Sequence, residues 1–397
     1  MLLAPFGTLL AAAVTVYATA VPAMRGTRMK QDVDTGFEWD PEAFKIAAVR
    51  EPPVGFVYHD LWDTTTWYNY DLNATIAQSV KIIGRAAAEG VKFIAFPEIY
   101  FPGYPAFRTA NGPEDFAQYV SQTMEPGDAQ WQTLMKAFAD AKMYGVVGWA
   151  QRANNSLFMT QSLVGPMADG SAGTIWKHEK FRPSGEERTL FSDGLLNTIR
   201  AQKLPFGVVS MLNCWEHVYP ESRFISGAQP ANIHVASFPI GSSVANATVN
   251  VNPYTGWHAD AKAYAETAAG SPILMLPTYG ASGIFSGSTT LNESTNTLTT
   301  GSQPYVTTVL NTTTFSDTSY SVNAYNSWGA VENIMQNLPS DMPQRKGPFL
   351  QRVIFTIDQL TKAYIWTPGL TCTPTSKWPC LKVWPQHQES DFTASST

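Results

Sequence analysis

Short, continuous apolar runs separated by helical stripes recur along this chain, and that alternation leaves few folds open to it. Phe44-Lys45-Ile46-Ala47-Ala48-Val49 reads as a buried strand. Ile76, Val80, Ile83 and Ala87 follow at helical spacing, with Asn73 placed to cap the helix and Gly90 to end it. A strand from Lys92 to Phe96 comes next. The pattern then repeats, with Trp131, Leu134, Met135 and Phe138 striping a helix, Gly145 stopping it and Val146-Val147-Gly148-Trp149 forming a strand. Two further strands are expected at Asn232–Ala236 and Ile273–Leu276. Strands alternating with helices predict an α/β protein with covered sheets. The chain has 397 residues, 44% of them hydrophobic, which supplies a sizeable core.

Three of these runs end on residues that can do chemistry. The strand Phe206-Gly207-Val208-Val209-Ser210-Met211-Leu212 leads into Asn213-Cys214-Trp215-Glu216-His217. Cys214 is the one cysteine of three without an obvious mate, since Cys372 and Cys380 lie eight residues apart in the tail and are expected to pair if the chain is secreted. The run ending at Phe96-Pro97 delivers Glu98, and Ile175-Trp176-Lys177-His178-Glu179 delivers Lys180. A carboxylate can take the thiol proton, and an ammonium can stabilise the anion that forms when the sulfur adds to an electrophile. Taken singly, Cys214 could be a small core residue, Glu98 a loop carboxylate and Lys180 part of a solvated cluster.

Together, in the order Glu98, Lys180, Cys214, they resemble the nitrilase superfamily, whose catalytic set is Glu-Lys-Cys. Phe96-Pro97-Glu98 followed by Pro102-Gly103-Tyr104-Pro105, the Lys180–Arg188 segment and Cys214-Trp215-Glu216-His217 carry the resemblance. The last run is similar to the nitrilase and cyanide hydratase branch. The resemblance covers roughly residues 44–280 and implies a four-layer α-β-β-α sandwich, an α/β fold with two sheets face to face. It further implies a thiol hydrolase that turns a nitrile into a carboxylic acid and ammonia, without cofactor or metal and as a homo-oligomer. Glu187 matches the second glutamate that helps hold the lysine, and His217 would orient neighbouring groups. Tyr104 and Trp215, with Tyr100 and Phe101, are candidate pocket residues. Arg50, Gln151, Glu179 and Phe238 depart from the usual Gln, Glu, Arg and Trp, and the family's C-terminal segment is not recognisable. An amide-forming or amide-hydrolysing member remains open, as does a secreted scaffold without activity.

Other partner classes find little support. The formal net charge is −6 and the basic residues are scattered, which argues against nucleic acid and against stable association with an anionic membrane. No His-Glu-x-x-His or paired Cys-x-x-Cys points to a metal, and no Gly-x-Ser-x-Gly elbow points to a serine hydrolase.

Residues 1–24 carry no charged side chain, and Ala18-Thr19-Ala20 fits a signal-peptide cleavage site, so residues 1–20 are expected to be a signal peptide. Acceptor tripeptides at Asn73, Asn154, Asn246, Asn292 and Asn311 agree with a secreted glycoprotein. A cytoplasmic enzyme follows instead if the N-terminal segment is a gene-model artefact. Residues 21–43 read as a linker, 44–360 as the hydrolase domain, 286–321 as an exposed Ser/Thr-rich insertion and 361–397 as a C-terminal extension.

Overall fold

The computed structural model describes residues 35–56, 70–105, 113–239, 257–294, 303–315, 354 and 356–358. The signal peptide, residues 21–34 of the linker, Asn246, Cys372, Cys380 and the C-terminal extension lie outside the described residues.

Two six-stranded mixed sheets form the centre. Their strands are β1 (Phe44–Val49), β2 (Val91–Ala95), β3 (Tyr144–Ala153), β4 (Ser156–Pro166), β5 (Ala172–Glu179), β6 (Gln202–Leu204), β7 (Gly207–Asn213), β8 (Ile233–Ser237), β9 (Ile273–Leu276), β10 (Gly283–Ser286), β11 (Thr289–Glu293) and β12 (Tyr305–Leu310). One sheet has the order β12-β1-β2-β3-β4-β5, the other β11-β10-β9-β8-β7-β6. The helices are α1 (Leu72–Ala88), α2 (Pro113–Ser121), α3 (Ala129–Ala141), α4 (Pro220–Gly227) and α5 (Trp257–Thr267). None among the described residues is long and apolar enough to cross a membrane.

Side-chain alternation explains the layers. In β1, Ile46 and Ala48 point into a core shared with Val209, Met211, Ile233 and Val235 of the second sheet. Ala47 and Val49 point the other way, into a core with Ile76 and Ile83 of α1 and Leu134 and Phe138 of α3. On the far side, Leu212 and Ala236 pack with Ala261 and Ala265 of α5. Both faces of the central strands are therefore buried, which is why they read as unbroken apolar runs. The result is an α-β-β-α sandwich.

Local chemistry moved several expected boundaries. Asp71, not Asn73, caps α1, accepting from Ala74 N at 2.8 Å. The chain leaves α3 through Lys142 in the left-handed region, and Gly145 sits inside β3. The linker assignment fails for its last residues: Phe37 is buried between the sheets, edge-on to Tyr144 with ring centroids 4.7 Å apart. The exposed-insertion reading also needs correction. β11 is exposed throughout, but β12 pairs antiparallel with β1 from Phe44↔Leu310 to Val49↔Tyr305 and buries Tyr305, Val306 and Leu310. Its Thr and Val residues are β-branched strand formers, so a Thr-rich composition concealed an edge strand.

Candidate active site

Three strand ends from two sheets meet at one place, as is usual for sites in α/β folds. Beyond β2, Glu98 N donates to Phe238 O at 3.3 Å, and Tyr279 Oη donates to the carbonyls of Glu98 and Ile99 at 2.8 and 3.0 Å. The backbone at Glu98 is thus held by two segments of the opposite sheet. Gly148 is needed beside it: a Cβ there would lie 2.1 Å from Pro97 O. Beyond β5, Lys180 N donates to Met159 O at 2.7 Å, while Gly194 N donates to Lys180 O at 2.9 Å. Beyond β7, Cys214 adopts φ +43° and opens a 3-10 turn spanning Cys214–His217. A non-glycine residue rarely takes that conformation without a functional or structural constraint.

The side chains form a buried charge cluster. Lys180 Nζ donates to Glu98 Oε1 at 2.9 Å and to Glu187 Oε2 at 2.7 Å, with all three residues buried. Glu187 Oε2 also accepts from Ser184 N at 2.6 Å, and Glu187 Oε1 accepts from the Tyr104 phenol at 2.7 Å. Glu98 Oε2 is buried and has no hydrogen-bond partner among the described residues. Cys214 is buried in the same cluster, where Glu98, Lys180 and Glu187 all act electrostatically on its thiol.

One ammonium faces two carboxylates and a thiol, so the cluster resists a further negative charge. Burial, then the Glu98 charge, pushes the Cys214 thiol well up despite Lys180. Burial also pushes Glu98 up to about 8, against the pull of Lys180 and with help from Glu187. Burial alone would lower Lys180, but Glu187 and Glu98 outweigh it and keep the ammonium charged. The state these shifts favour is a neutral thiol beside a carboxyl ready to exchange its proton, with a permanent cation next to both.

The sequence-predicted residues separate into two groups. Glu98, Lys180, Glu187 and Cys214 converge, and Tyr104 joins them through its phenol on Glu187 rather than as an apolar wall. Tyr100 and Phe101 are buried in the core between the first sheet and its helices. Trp215 is 37% exposed. His217 Nδ1 donates to Cys214 O at 2.7 Å, its ring stacks on Phe238, and its Nε2 lies 2.9 Å from His234 Nε2. Burial lowers His217 to about 4, so it is neutral.

Glu216, His178, His234 and Tyr279 escaped the sequence reading. Glu216 lies inside the Cys214-Trp215-Glu216-His217 motif, yet nothing local distinguishes a buried carboxylate from an exposed one. A cavity of about 370 Å³ between α4 and α5 holds none of the charged cluster.

Comparison with known proteins finds nitrilases and a cyanide hydratase among the relatives. A nitrilase of Talaromyces marneffei is 33% identical over 175 residues, 43% of this chain and 53% of the relative. A nitrilase of Pseudomonas syringae pv. syringae is 31% identical over 216 residues, 53% of this chain and 59% of the relative. A cyanide hydratase of Armillaria gallica is 32% identical over 185 residues, 45% and 47% of the two chains. The chain spans about half the length of the curated relatives it matches. The carbon-nitrogen hydrolase family model matches residues 45–289, which include all four members of the charged cluster. The chain belongs to the carbon-nitrogen hydrolase family.

Proposed function

We propose that this protein is a thiol hydrolase that converts a nitrile to its carboxylic acid and ammonia. The observation that carries the proposal is the buried Lys180 bridging Glu98 and Glu187 beside Cys214, with one Glu98 oxygen left free. A free thiol is only a few per cent ionised near pH 7, so addition to a weakly electrophilic nitrile carbon needs a base. Glu98 takes the thiol proton as the sulfur bonds to the nitrile carbon and passes it to the nitrogen, giving a thioimidate. Lys180 stabilises the negative charge that develops on nitrogen. Water then adds, giving its proton to Glu98, and ammonia leaves to form a thioester. A second water releases the acid and restores the thiol. Glu187, anchored by Tyr104 and Ser184 N, holds the ammonium in place throughout.

If the tetrahedral adduct expels sulfur before ammonia, the product is the amide. The cyanide hydratase among the relatives keeps this second outcome in view. Mass spectrometry of products from aliphatic, aryl and arylaceto nitriles and from cyanide separates the two. Loss of turnover in Cys214→Ala with an unchanged melting curve is the expected control, and an alanine variant with parental activity would sink the proposal.

We further propose a secreted, glycosylated homo-oligomer. The acceptors Asn73, Asn154, Asn292 and Asn311 are all exposed, which supports the glycoprotein reading. Intact mass from a eukaryotic host before and after deglycosylation tests it, and light scattering tests assembly.

A further inference from the structure

The ends of β5 and β7 belong to different sheets, so no ladder hydrogen bond sets the separation of Lys180 from Cys214. A third side chain joins them. The Glu216 carboxylate is fully buried, and each of its oxygens accepts a backbone N–H: Phe181 N on Oε1 at 2.7 Å, Asn213 N on Oε2 at 2.8 Å. Phe181 directly follows Lys180, and Asn213 directly precedes Cys214. His178 Nε2 sits 3.1 and 2.8 Å from the two oxygens. On its other side, His178 Nδ1 lies 2.9 Å from Thr198 Oγ1, whose own proton goes to Leu195 O at 2.6 Å. A carboxylate only accepts, so His178 Nε2 donates to Glu216. His178 and the two backbone amides hold Glu216 ionised, and its carboxyl lies below its usual range despite burial.

We propose that Glu216 is a positioning residue that sets the distance between Lys180 and Cys214, a task that requires a carboxylate. The inference rests on the reading of Lys180 and Cys214 as the reacting pair. Glu216→Gln has nearly the same shape, but its NH2 must face either Phe181 N–H or Asn213 N–H. Donor then meets donor, and one side of the staple opens. Glu98, Lys180, Glu187 and the Tyr104 phenol face the thiol, and of these only Lys180 is positive. Moving Lys180 away makes the thiol harder to ionise.

The test is the pH dependence of Cys214 alkylation by iodoacetamide, followed by peptide mass spectrometry in the full-length parent, Glu216→Gln and Glu216→Asp, with a thermal melt of each. Alkylation reads the thiolate and needs no knowledge of the substrate. The Gln variant is expected to shift the profile upward by one pH unit or more, about tenfold slower reaction at a given pH below the midpoint. The Asp variant keeps two accepting oxygens and should recover part of the shift. A folded Gln variant whose profile superposes on the parent overturns the proposal, as does an Asp variant displaced further than Gln. Should the Gln variant not fold, the Asp variant decides alone: an upward displacement supports the staple and an unmoved profile rejects it. Nitrile turnover by Cys214→Ala would reject the thiol mechanism, a failure separate from any change in these profiles.

Discussion

Replacing Lys180 with methionine keeps most of the side-chain volume and removes the ammonium 2.9 Å from Glu98 and 2.7 Å from Glu187. Each contact carries about 6 kcal/mol of Coulomb attraction at an effective dielectric of about 20 when its carboxylate is ionised. Most of that offsets the desolvation of three charged groups, so the attraction is not the net stabilisation. The loss is governed by what remains, the Glu98 carboxyl and the Glu187 carboxylate in a buried site with no cation between them. Removing one member of a buried pair costs roughly 3–5 kcal/mol, and the carboxylates relieve part of this by taking up protons. Lys180→Met is therefore expected to be about 3 kcal/mol less stable than the parent at neutral pH.

The pH dependence of that gap has a definite sign. Glu98 titrates at about 8 in the folded parent against an ordinary value of 4.5. A carboxyl raised in this way stabilises the fold below its unfolded value, and that contribution is lost as pH rises to the folded value. Without Lys180, burial and the Glu187 charge act on Glu98 unopposed, so its folded value rises further. Between about pH 5 and 8 parent and variant lose stability in parallel, and above about pH 8 the gap widens by up to about 1.4 kcal/mol per unit. Activity falls as well. The base stays protonated and the developing anion loses its cation, so kcat/KM should drop by about 10²–10³-fold or more. Urea unfolding from pH 6 to 9.5 and ammonia release from an accepted nitrile are the assays. A variant within tenfold of parental kcat/KM, or with a gap under about 1 kcal/mol at every pH, would refute the reasoning.

For the parent, kcat/KM is expected to fall about tenfold per pH unit below an apparent value near 8, because Glu98 must be ionised to act as base; a profile flat from pH 6 to 8 would assign the base elsewhere. Glu98→Gln should lose 10²-fold or more, while Glu187→Gln should lose less because its amide oxygen can still accept from Lys180 and Ser184 N while its NH2 donates to the Tyr104 phenol oxygen; the reverse order in steady-state kinetics would exchange the two roles. Tyr104→Phe removes one bond to Glu187 and is expected to lower kcat by about tenfold or less with little change in melting temperature. Gly148→Ala drives a methyl into Pro97 O, so the backbone under Glu98 must shift, costing about 1–3 kcal/mol in a urea titration and reducing kcat together with it.

Much of the architecture was legible because it is local. The buried strands announce themselves as apolar runs, since a strand covered on both faces has no need for alternation. Glu98, Lys180 and Cys214 stand where those runs stop, and a motif around each narrows its chemistry. Edges and joins were less readable. Residues 35–43 look like linker, yet Phe37 is buried between the sheets, and β12 hides in a Thr-rich stretch until β1 gives it a partner. Tyr104 stands in the sequence as a candidate pocket residue, whereas its phenol is committed to a carboxylate 83 residues away.

The sequence by itself determined which residues end the strands, the alternation that demands covered sheets, and the presence of a base, a cation and a thiol in a recognisable order. Only the tertiary structure decided how their charges meet. Lys180 reaches Glu98 across 82 residues and Glu187 across seven, and burial, opposed by Lys180 and aided by Glu187, raises Glu98 to about 8. Glu216 shows the same limit: its sequence neighbours give no sign that Phe181 N and Asn213 N will converge on it. Periodicity records which way a side chain faces relative to its own element, whereas desolvation and pairing depend on atoms contributed by other elements. Those atoms come together only when the two sheets close on each other.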